Sequence, residues 1–154
     1  MRSQAMTKRV LAVASGGGHW HQLMMLRPAY AHHDLRLVTT LEGLAEEYGL
    51  PPANLVPDCN RNEPLRALAC VFFMAALMLR HRPHVVISTG ALPGVIALAW
   101  GRLMGARTIW VDSIANAEEM SASGRLARRF AHLRFSQWEA VAAAEGAEYA
   151  GALL

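Results

Sequence analysis

The sequence contains few of the residues that mark several common classes of protein. Of its 154 residues only 2 are cysteines, and 18% are charged. Cys59 and Cys70 have neither metal-binding nor redox-motif spacing, so no disulfide framework is implied and a reducing compartment is indicated. The first residues, 1–8, lack the apolar core of a secretory signal, and Met6 is a possible natural start. We expect residues 1–7 to be disordered.

The motifs of the common cofactor and metal sites are also missing. A dinucleotide site needs G-x-G-x-x-G and an acidic residue after the second strand, but that predicted strand ends in Val38-Thr39-Thr40. The G-K-[ST] of a P-loop is absent as well. No Cys or Glu is spaced to complete a zinc site with His19, His21, His32 and His33. We therefore expect no cofactor and no metal, and a nucleotide-binding oxidoreductase is kept as an alternative.

The bulk composition suggests one domain with a partly covered surface. A chain of 154 residues is long enough for one domain with a proper core. Its 53% hydrophobic content is high for a protein surrounded by water, which indicates a surface that a partner or a membrane covers. The net charge of +3 comes from dispersed arginines. This pattern fits an anionic membrane surface, and we expect no nucleic-acid partner.

Short apolar segments alternate with helical patterns along the chain. Strands are predicted at residues 9–14, 35–40, 54–57, 84–89, 107–111 and 132–136. Helices are predicted at residues 19–29, 41–48, 64–81, 92–104, 124–131 and 137–144. This alternation predicts an α/β fold, with a single Rossmann-like domain over residues 1–154 and a mostly parallel sheet.

A glycine-rich turn follows the first predicted strand. Gly16, Gly17 and Gly18 allow positive φ and close approach of a ligand, and the first amides of the next helix attract anions or sugar hydroxyls. His19 opens that helix, and imidazole takes up a proton near neutral pH, so His19 is a candidate general base. Two alternatives stay open: an ordinary strand-to-helix turn, and a histidine that only caps its helix.

Two more polar or glycine-containing turns follow the fourth and fifth predicted strands. The first contains Thr89, Gly90 and Gly94, and the second contains Asp112 and Asn116. In open parallel sheets, ligands bind outside the carboxyl ends of the strands, so we expect these residues to form one binding site with the glycine turn. The alternative for Asp112 is capping of the following helix.

Residues 67–79 form a run of 13 residues without a polar side chain. At ~1.5 Å per residue the run reaches roughly 20 Å, short of the ~30 Å hydrocarbon layer, so it is not expected to span a membrane. We expect it to contact a membrane surface through Phe72 and Phe73, with Arg66 and Arg80 reaching lipid phosphates. The alternative is a core helix. For a second basic group two alternatives stay open, a contact with lipid or pyrophosphate and a solvated helix face: Arg125, Arg128, Arg129 and Arg134.

Taken together, these motifs resemble the PssD-like bacterial polysaccharide-biosynthesis proteins, which are relatives of the eukaryotic membrane-recruiting subunit of the dolichol-linked GlcNAc transferase. The resemblance extends from Arg9 to the end of the chain. Its carriers are Ser15-Gly16-Gly17-Gly18-His19, Ser88-Thr89-Gly90-Ala91, Pro93-Gly94, Asp112-Ser113, Ser123-Gly124-Arg125-Leu126 and Gln137-Trp138-Glu139. That family looks like the N-terminal half of a GT-B glycosyltransferase, similar to the enzyme that adds GlcNAc to lipid I.

The resemblance implies a division of labour between two subunits. A donor-binding partner subunit would hold the nucleotide sugar, and this subunit would bind a polyprenyl-pyrophosphate-linked acceptor at the inner face of the cell membrane, in the cytoplasm. His19 would be the base, and the three turns would contact the acceptor. Gln137-Trp138-Glu139 would support the partner interface. Two alternatives are a non-catalytic enhancer of the partner and the oxidoreductase.

Overall fold

The computed structural model describes residues 6–153. The disorder expected for residues 1–7 falls largely on residues 1–5, which lie outside this range. The strands are β1 (Arg9–Ala14), β2 (Asp34–Thr39), β3 (Asn54–Leu55), β4 (Val85–Gly90), β5 (Arg107–Val111), β6 (Leu133–Ser136) and β7 (Glu148–Tyr149). The helices are α1 (Gly18–Leu26), α2 (Pro64–His81), α3 (Leu92–Leu103), α4 (Ala122–Ala127) and α5 (Glu139–Glu145).

The strands form one sheet in the order β3-β2-β1-β4-β5-β6-β7, and each neighbouring pair is parallel. The predicted Rossmann-like α/β fold is therefore confirmed. The chain moves outward from β1 to β2 and β3 on one side, and then crosses to β4 on the other side. The switch point of the sheet consequently lies between the carboxyl ends of β1 and β4.

Both faces of the sheet are covered, which explains the near-continuous apolar sequence of its central strands. Val10 and Ala12 of β1 pack in a cluster that includes Leu23 of α1. Leu11 and Val13 point to the opposite face, where they join a cluster that includes side chains of α2, α3 and β5. Because successive side chains of a strand alternate between faces, β1 supplies both cores.

Helix α2 buries only a narrow stripe. Its buried side chains are Cys70, Met74 and Met78, which recur every four residues and therefore lie on one side of the helix. They belong to the core cluster on the face that also includes Leu98 of α3. Ala67 and Leu77 are partly buried against the same cluster, whereas the large apolar side chains on the other side of the helix are exposed: Leu65, Leu68, Phe72, Phe73 and Leu79.

Three departures from the predicted elements are the largest, and the bounds of several other elements shift by one to three residues. Residues 41–48 were predicted to be a helix but form turns and a single 3₁₀ turn at Glu46–Tyr48, because Gly43 adopts a left-handed φ of 88°. Helix α4 begins and ends earlier than predicted, at Ala122 and Ala127, since Ser121 caps it by accepting from Gly124 N at 2.9 Å. The two-residue strand β7 was not predicted, because its sequence is too short for an alternating pattern.

Candidate functional site

The segments that follow β1 and β4 meet at the switch point. The backbone N–H of Ser15 donates to the Gly90 carbonyl oxygen at 3.1 Å. Helix α1 then packs on one face of the sheet, whereas α3 packs on the other. Two of the three turns predicted to form the site are therefore in direct contact. The crevice expected at a switch point, between the starts of α1 and α3, is called the cleft below.

The glycine turn presents free backbone to this cleft. Gly17 is the N-cap of α1 with φ 75°, and no side chain caps the helix. A Cβ added at Gly17 or Gly18 would meet no atom within 4 Å, so the turn is open to solvent. Because the first amides of an α-helix have no intrahelical acceptor, they are available to an anionic or hydroxyl-bearing ligand.

His19 is held by the turn after β4 through two hydrogen bonds. Its ring Nδ1 lies 3.1 Å from the Thr89 carbonyl oxygen, and the Thr89 hydroxyl donates to the His19 carbonyl oxygen at 2.6 Å. A carbonyl oxygen can only accept, so Nδ1 must carry a proton. In the neutral ring the lone pair is then on Nε2, which has no hydrogen-bond partner within residues 6–153. The half-buried His19 is thus arranged to accept a proton at Nε2.

Gly90 makes room for the His19 ring. A Cβ at Gly90 would lie 2.7 Å from Cε1 of His19, closer than real Cβ contacts come. Gly90 also has a φ of 136°, a conformation that side-chain-bearing residues rarely adopt. Both observations explain why the sequence has glycine here, and they make Gly90 the floor beneath the imidazole.

Two other predicted contact residues lie below the cleft surface. Thr89 is 1% exposed, so its contribution is to hold His19. Gly94 is buried in α3, where an added Cβ would overlap the Ser88 hydroxyl and lie 3.3 Å from Cζ3 of Trp110. This geometry favours a positioning role for both, and direct contact with a ligand stays a prediction.

Asp112 organises the loop after β5. Its carboxylate is 2% exposed and accepts four hydrogen bonds. Oδ1 accepts from Trp110 Nε1 at 3.0 Å and from the Ser121 hydroxyl at 2.6 Å. Oδ2 accepts from Asn116 Nδ2 at 3.0 Å and from Ser121 N at 2.9 Å. The cap of the following helix α4 is Ser121 and not Asp112, so the alternative of capping by Asp112 is not observed; Asp112 instead holds the capping residue Ser121. The predicted acceptor contacts of Asp112 and Asn116 stay untested.

A pair of buried glutamines joins α1 to the loops after β5 and β6. The amide Nε2 of Gln137 donates to Gln22 Oε1 at 2.5 Å and to the Asp112 carbonyl oxygen at 3.0 Å. Gln22 in turn donates to the Ser113 hydroxyl at 3.1 Å. Gln22 lies three residues after His19 on α1, so the pair fixes the helix that bears the candidate base. The sequence analysis missed Gln22, because one glutamine in a helix has no distinctive spacing.

The other histidines of the N-terminal region lie apart from this base. His21 Nδ1 is 3.1 Å from the Tyr48 hydroxyl, and the rings of His32 and His33 lie 4.1 Å apart. Within residues 6–153, no group of three His, Cys, Asp or Glu side chains is arranged to hold a metal ion.

The second basic group does not act as one patch. Arg134 is buried and donates to the Gly124 carbonyl oxygen at 3.2 Å, and burial lowers the pKa of its guanidinium below the ordinary value. Arg125 pairs with Glu119 at 2.5 Å and with Glu145 at 3.1 Å. Arg128 and Arg129 are left exposed. Of the four arginines, Arg128 and Arg129 are therefore the ones for which a contact with lipid or pyrophosphate stays a prediction.

The uncovered side of α2 is strongly apolar. Phe72 is 65% exposed and Phe73 is 56% exposed. Leu65, Leu68 and Leu79 extend this surface along the helix. Of the helices within residues 6–153, only α2 is long and apolar enough to cross a membrane, a test that core helices of globular proteins also pass. Arg66 and Arg80 are exposed beside it, and Arg66 lies 3.6 Å from Glu63.

Several solved structures share this fold. MurG of Acinetobacter baumannii has a TM-score of 0.69 at 14% identity, with 84% of this chain and 41% of MurG covered. A putative UDP-N-acetylglucosamine 2-epimerase of Listeria monocytogenes has a TM-score of 0.73 at 12% identity, with 94% and 44% covered. The UDP-GlcNAc 2-epimerase of Neisseria meningitidis bound to UDP-GlcNAc has a TM-score of 0.69 at 11% identity, with 89% and 42% covered. The chain therefore has the Rossmann-like fold of a GT-B N-terminal half and spans about two fifths of these proteins.

A comparison of sequences, in contrast to structures, points to a glycosyltransferase subunit. A stretch of 62 residues is 39% identical to the UDP-N-acetylglucosamine transferase subunit ALG14 of Eremothecium gossypii, and it covers 36% of this chain and 28% of ALG14. No protein-family model matches the sequence. Weak homology to ALG14 and the MurG-like fold together relate the chain to glycosyltransferases.

Proposed function

We propose that this chain is the acceptor-binding and membrane-recruiting subunit of a two-component inverting glycosyltransferase. A donor-binding partner subunit holds the nucleotide sugar, and the sugar is added to a polyprenyl-pyrophosphate-linked saccharide during exopolysaccharide or capsule synthesis. The observation on which this rests is the candidate base His19, held with Nε2 free at the switch point of the sheet. The name of ALG14, a transferase subunit, supports a second chain.

The geometry around His19 supports general base catalysis. Nε2 removes the proton from the attacking hydroxyl of the acceptor while that oxygen forms its bond to the anomeric carbon of the donor. The bond from this carbon to the diphosphate breaks in the same step, so the configuration is inverted. A positioned base of this kind typically contributes ~10²–10⁴-fold to the rate. The first amides of α1 and the glycine turn bind the acceptor's pyrophosphate or sugar oxygens.

The charge distribution supports attachment to an anionic membrane. Between Glu63 and Asp112 the sequence contains five arginines and no Asp or Glu. This stretch includes the whole of α2 and α3, and the uncovered apolar side of α2 lies within it. Such a combination of exposed Phe and Leu with Arg is typical of surfaces that rest in the lipid interface. We place this subunit on the cytoplasmic, inner face of the cell membrane as a peripheral protein.

The proposal is tested by reconstituting transfer from two chains. This chain would be co-expressed with the product of the neighbouring reading frame, purified with it, and assayed against a panel of nucleotide sugars with a lipid-linked acceptor. We expect negligible transfer by this chain alone and transfer when the partner is added. Full turnover by this chain alone would refute the division of labour.

Two histidine variants distinguish a catalytic role of this chain from a purely scaffolding role. His19→Ala should lower kcat of the complex by ~10²–10⁴-fold, the usual contribution of a general base. His32→Ala is the matched control, because His32 is exposed and precedes the amino end of β2, whereas the site lies at the carboxyl ends of the parallel strands. If His19→Ala retains activity while the complex forms normally, the chain is an enhancer that only stabilises and localises its partner. Saturable binding of NAD(P) or FAD would instead support the oxidoreductase alternative.

A further inference from the structure

An apolar groove runs between α2 and α3. It has a volume of about 350 Å³, and its lining consists only of apolar and aromatic side chains: Val71, Ile96, Ala99, Trp100, Leu103 and Phe130. The Trp100 indole N–H donates to the Val71 carbonyl oxygen at 3.1 Å, so the one polar atom of this side chain is already paired. A volume near the lower end of the ~300–1,000 Å³ range of ligand pockets suits a short segment of hydrocarbon chain.

The groove points away from the cleft along α3. Helix α3 starts at Leu92, two residues after Gly90, which lies under the His19 ring. At ~1.5 Å per residue, Ile96 lies roughly 6 Å and Leu103 roughly 16 Å beyond this start. The groove therefore begins about one helical turn along α3 from the edge of the cleft, in the direction that a chain attached to a phosphate group there would follow.

The far end of the groove opens onto the surface proposed to face lipid. Leu103 is 76% exposed, and Phe72, next to Val71, is 65% exposed. Arg102 lies beside Leu103, and Arg129 lies beside Phe130, and both are exposed. No acidic residue is present in α2, α3 or α4, so the border of the groove carries positive charge alone.

We infer that this groove binds the first isoprene units of the acceptor's polyprenyl chain. The inference rests on the proposed function, which supplies a lipid whose phosphates are held at the cleft. That lipid fits better than a membrane phospholipid, because its head is anchored at the near end of the groove and its tail leaves at the lipid-facing end. The positive border complements the pyrophosphate and the surrounding anionic headgroups. By binding the chain, the groove determines the distance between the bilayer surface and the acceptor sugar.

The experiment compares two water-soluble diphosphates that differ only in chain length. Isothermal titration of the full chain with farnesyl diphosphate and with dimethylallyl diphosphate should give at least tenfold tighter binding of the longer ligand. Ala99→Trp fills the groove and should reduce this ratio to about one. Ala76→Trp is the matched control, because Ala76 is exposed on α2 and does not line the groove, so its ratio should equal that of the wild type.

Ala99→Leu, a smaller filling, replaces Ala99→Trp if circular dichroism shows that the larger variant is unfolded. A photoreactive diazirine analogue of farnesyl diphosphate gives an independent measurement on the unaltered chain, and we expect its adducts in α2 and α3 peptides around Val71 and Trp100. Equal affinity of the wild type for both diphosphates, an unchanged ratio in the filled variant, or labelling elsewhere would overturn the inference.

The two proposals fail separately. Chain-length-dependent binding without transfer by the two-chain complex would retain the groove and refute the transferase function. Transfer that is equally efficient in the wild type and in Ala99→Trp, with a long-tailed acceptor, would retain the function and refute the groove.

Discussion

Replacing Gly90 with alanine tests the contact that holds the candidate base. The new Cβ would lie 2.7 Å from Cε1 of His19, in a backbone with φ 136°. An unfavourable backbone conformation costs ~1–3 kcal/mol, and overpacking a fitted site costs ~1–3 kcal/mol more. Gly90→Ala should therefore reduce the free energy of unfolding by about 2–6 kcal/mol, a large part of the ~5–15 kcal/mol usual for a domain.

The two contributions can be separated by a double-mutant cycle in urea. In a His19→Ala background the ring is gone, so Gly90→Ala should cost only the backbone part, ~1–3 kcal/mol. The difference between the two backgrounds measures the contact between Gly90 and the imidazole. If Gly90→Ala costs the same in both backgrounds, or less than about 0.5 kcal/mol in the wild type, the packing of the ring against Gly90 is not as the structure describes.

Three further predictions follow from other parts of the molecule. The Asp112 carboxylate accepts four hydrogen bonds, and Asp112→Asn replaces one accepting oxygen with an amide group that donates. The free energy of unfolding measured in urea should therefore decrease by ~2–3 kcal/mol, whereas the exposed Glu148→Gln should leave it unchanged. Burial, together with the positive charges of Arg36 and Arg80, lowers the pKa of His81 below its ordinary value of 6.5, and the opposing effect of Asp34 is smaller. The unfolded chain then takes up this proton first, so stability should decrease as the pH falls below about 6.5, and His81→Gln should reduce that slope. Phe72→Ser with Phe73→Ser should weaken co-sedimentation with anionic vesicles by roughly 30–1,000-fold, since each ring loses ~1–2 kcal/mol of partial burial and every ~1.4 kcal/mol is a factor of ten. Leu55→Ser, at the edge strand β3, is the control, and equal binding of both variants would exclude α2 as the attachment surface.

The alternating apolar segments were sufficient to predict the fold. Strands β1 and β5 and helix α2 begin and end where the sequence predicts. The order of the strands was not predicted, because short, apolar, buried strands carry no information about their neighbours. The helix expected at residues 41–48 failed because one glycine, Gly43, adopts a left-handed φ within an otherwise helical pattern.

The candidate site was predicted as three turns at one edge, and the structure joins two of them through Ser15 and Gly90. Spacing along the chain could not distinguish residues that face the cleft from residues that support them. Asp112 has the position of a ligand-binding carboxylate, yet its four hydrogen bonds lie inside the protein. Gln22 was missed because its partner Gln137 is 115 residues away in the sequence.

Both margins of the sheet end in strands of two residues, β3 and β7. On the part of β2 that β3 does not pair with, the Leu37 carbonyl oxygen accepts from the side chain of Asn54 at 3.2 Å, and the charged Asp34 and Arg36 occupy the rest. Stubs this short offer little template for another chain to extend the ladder, and flanking charges discourage stacking into fibrils. Copies of this protein crowded together on a surface should consequently resist edge-to-edge aggregation.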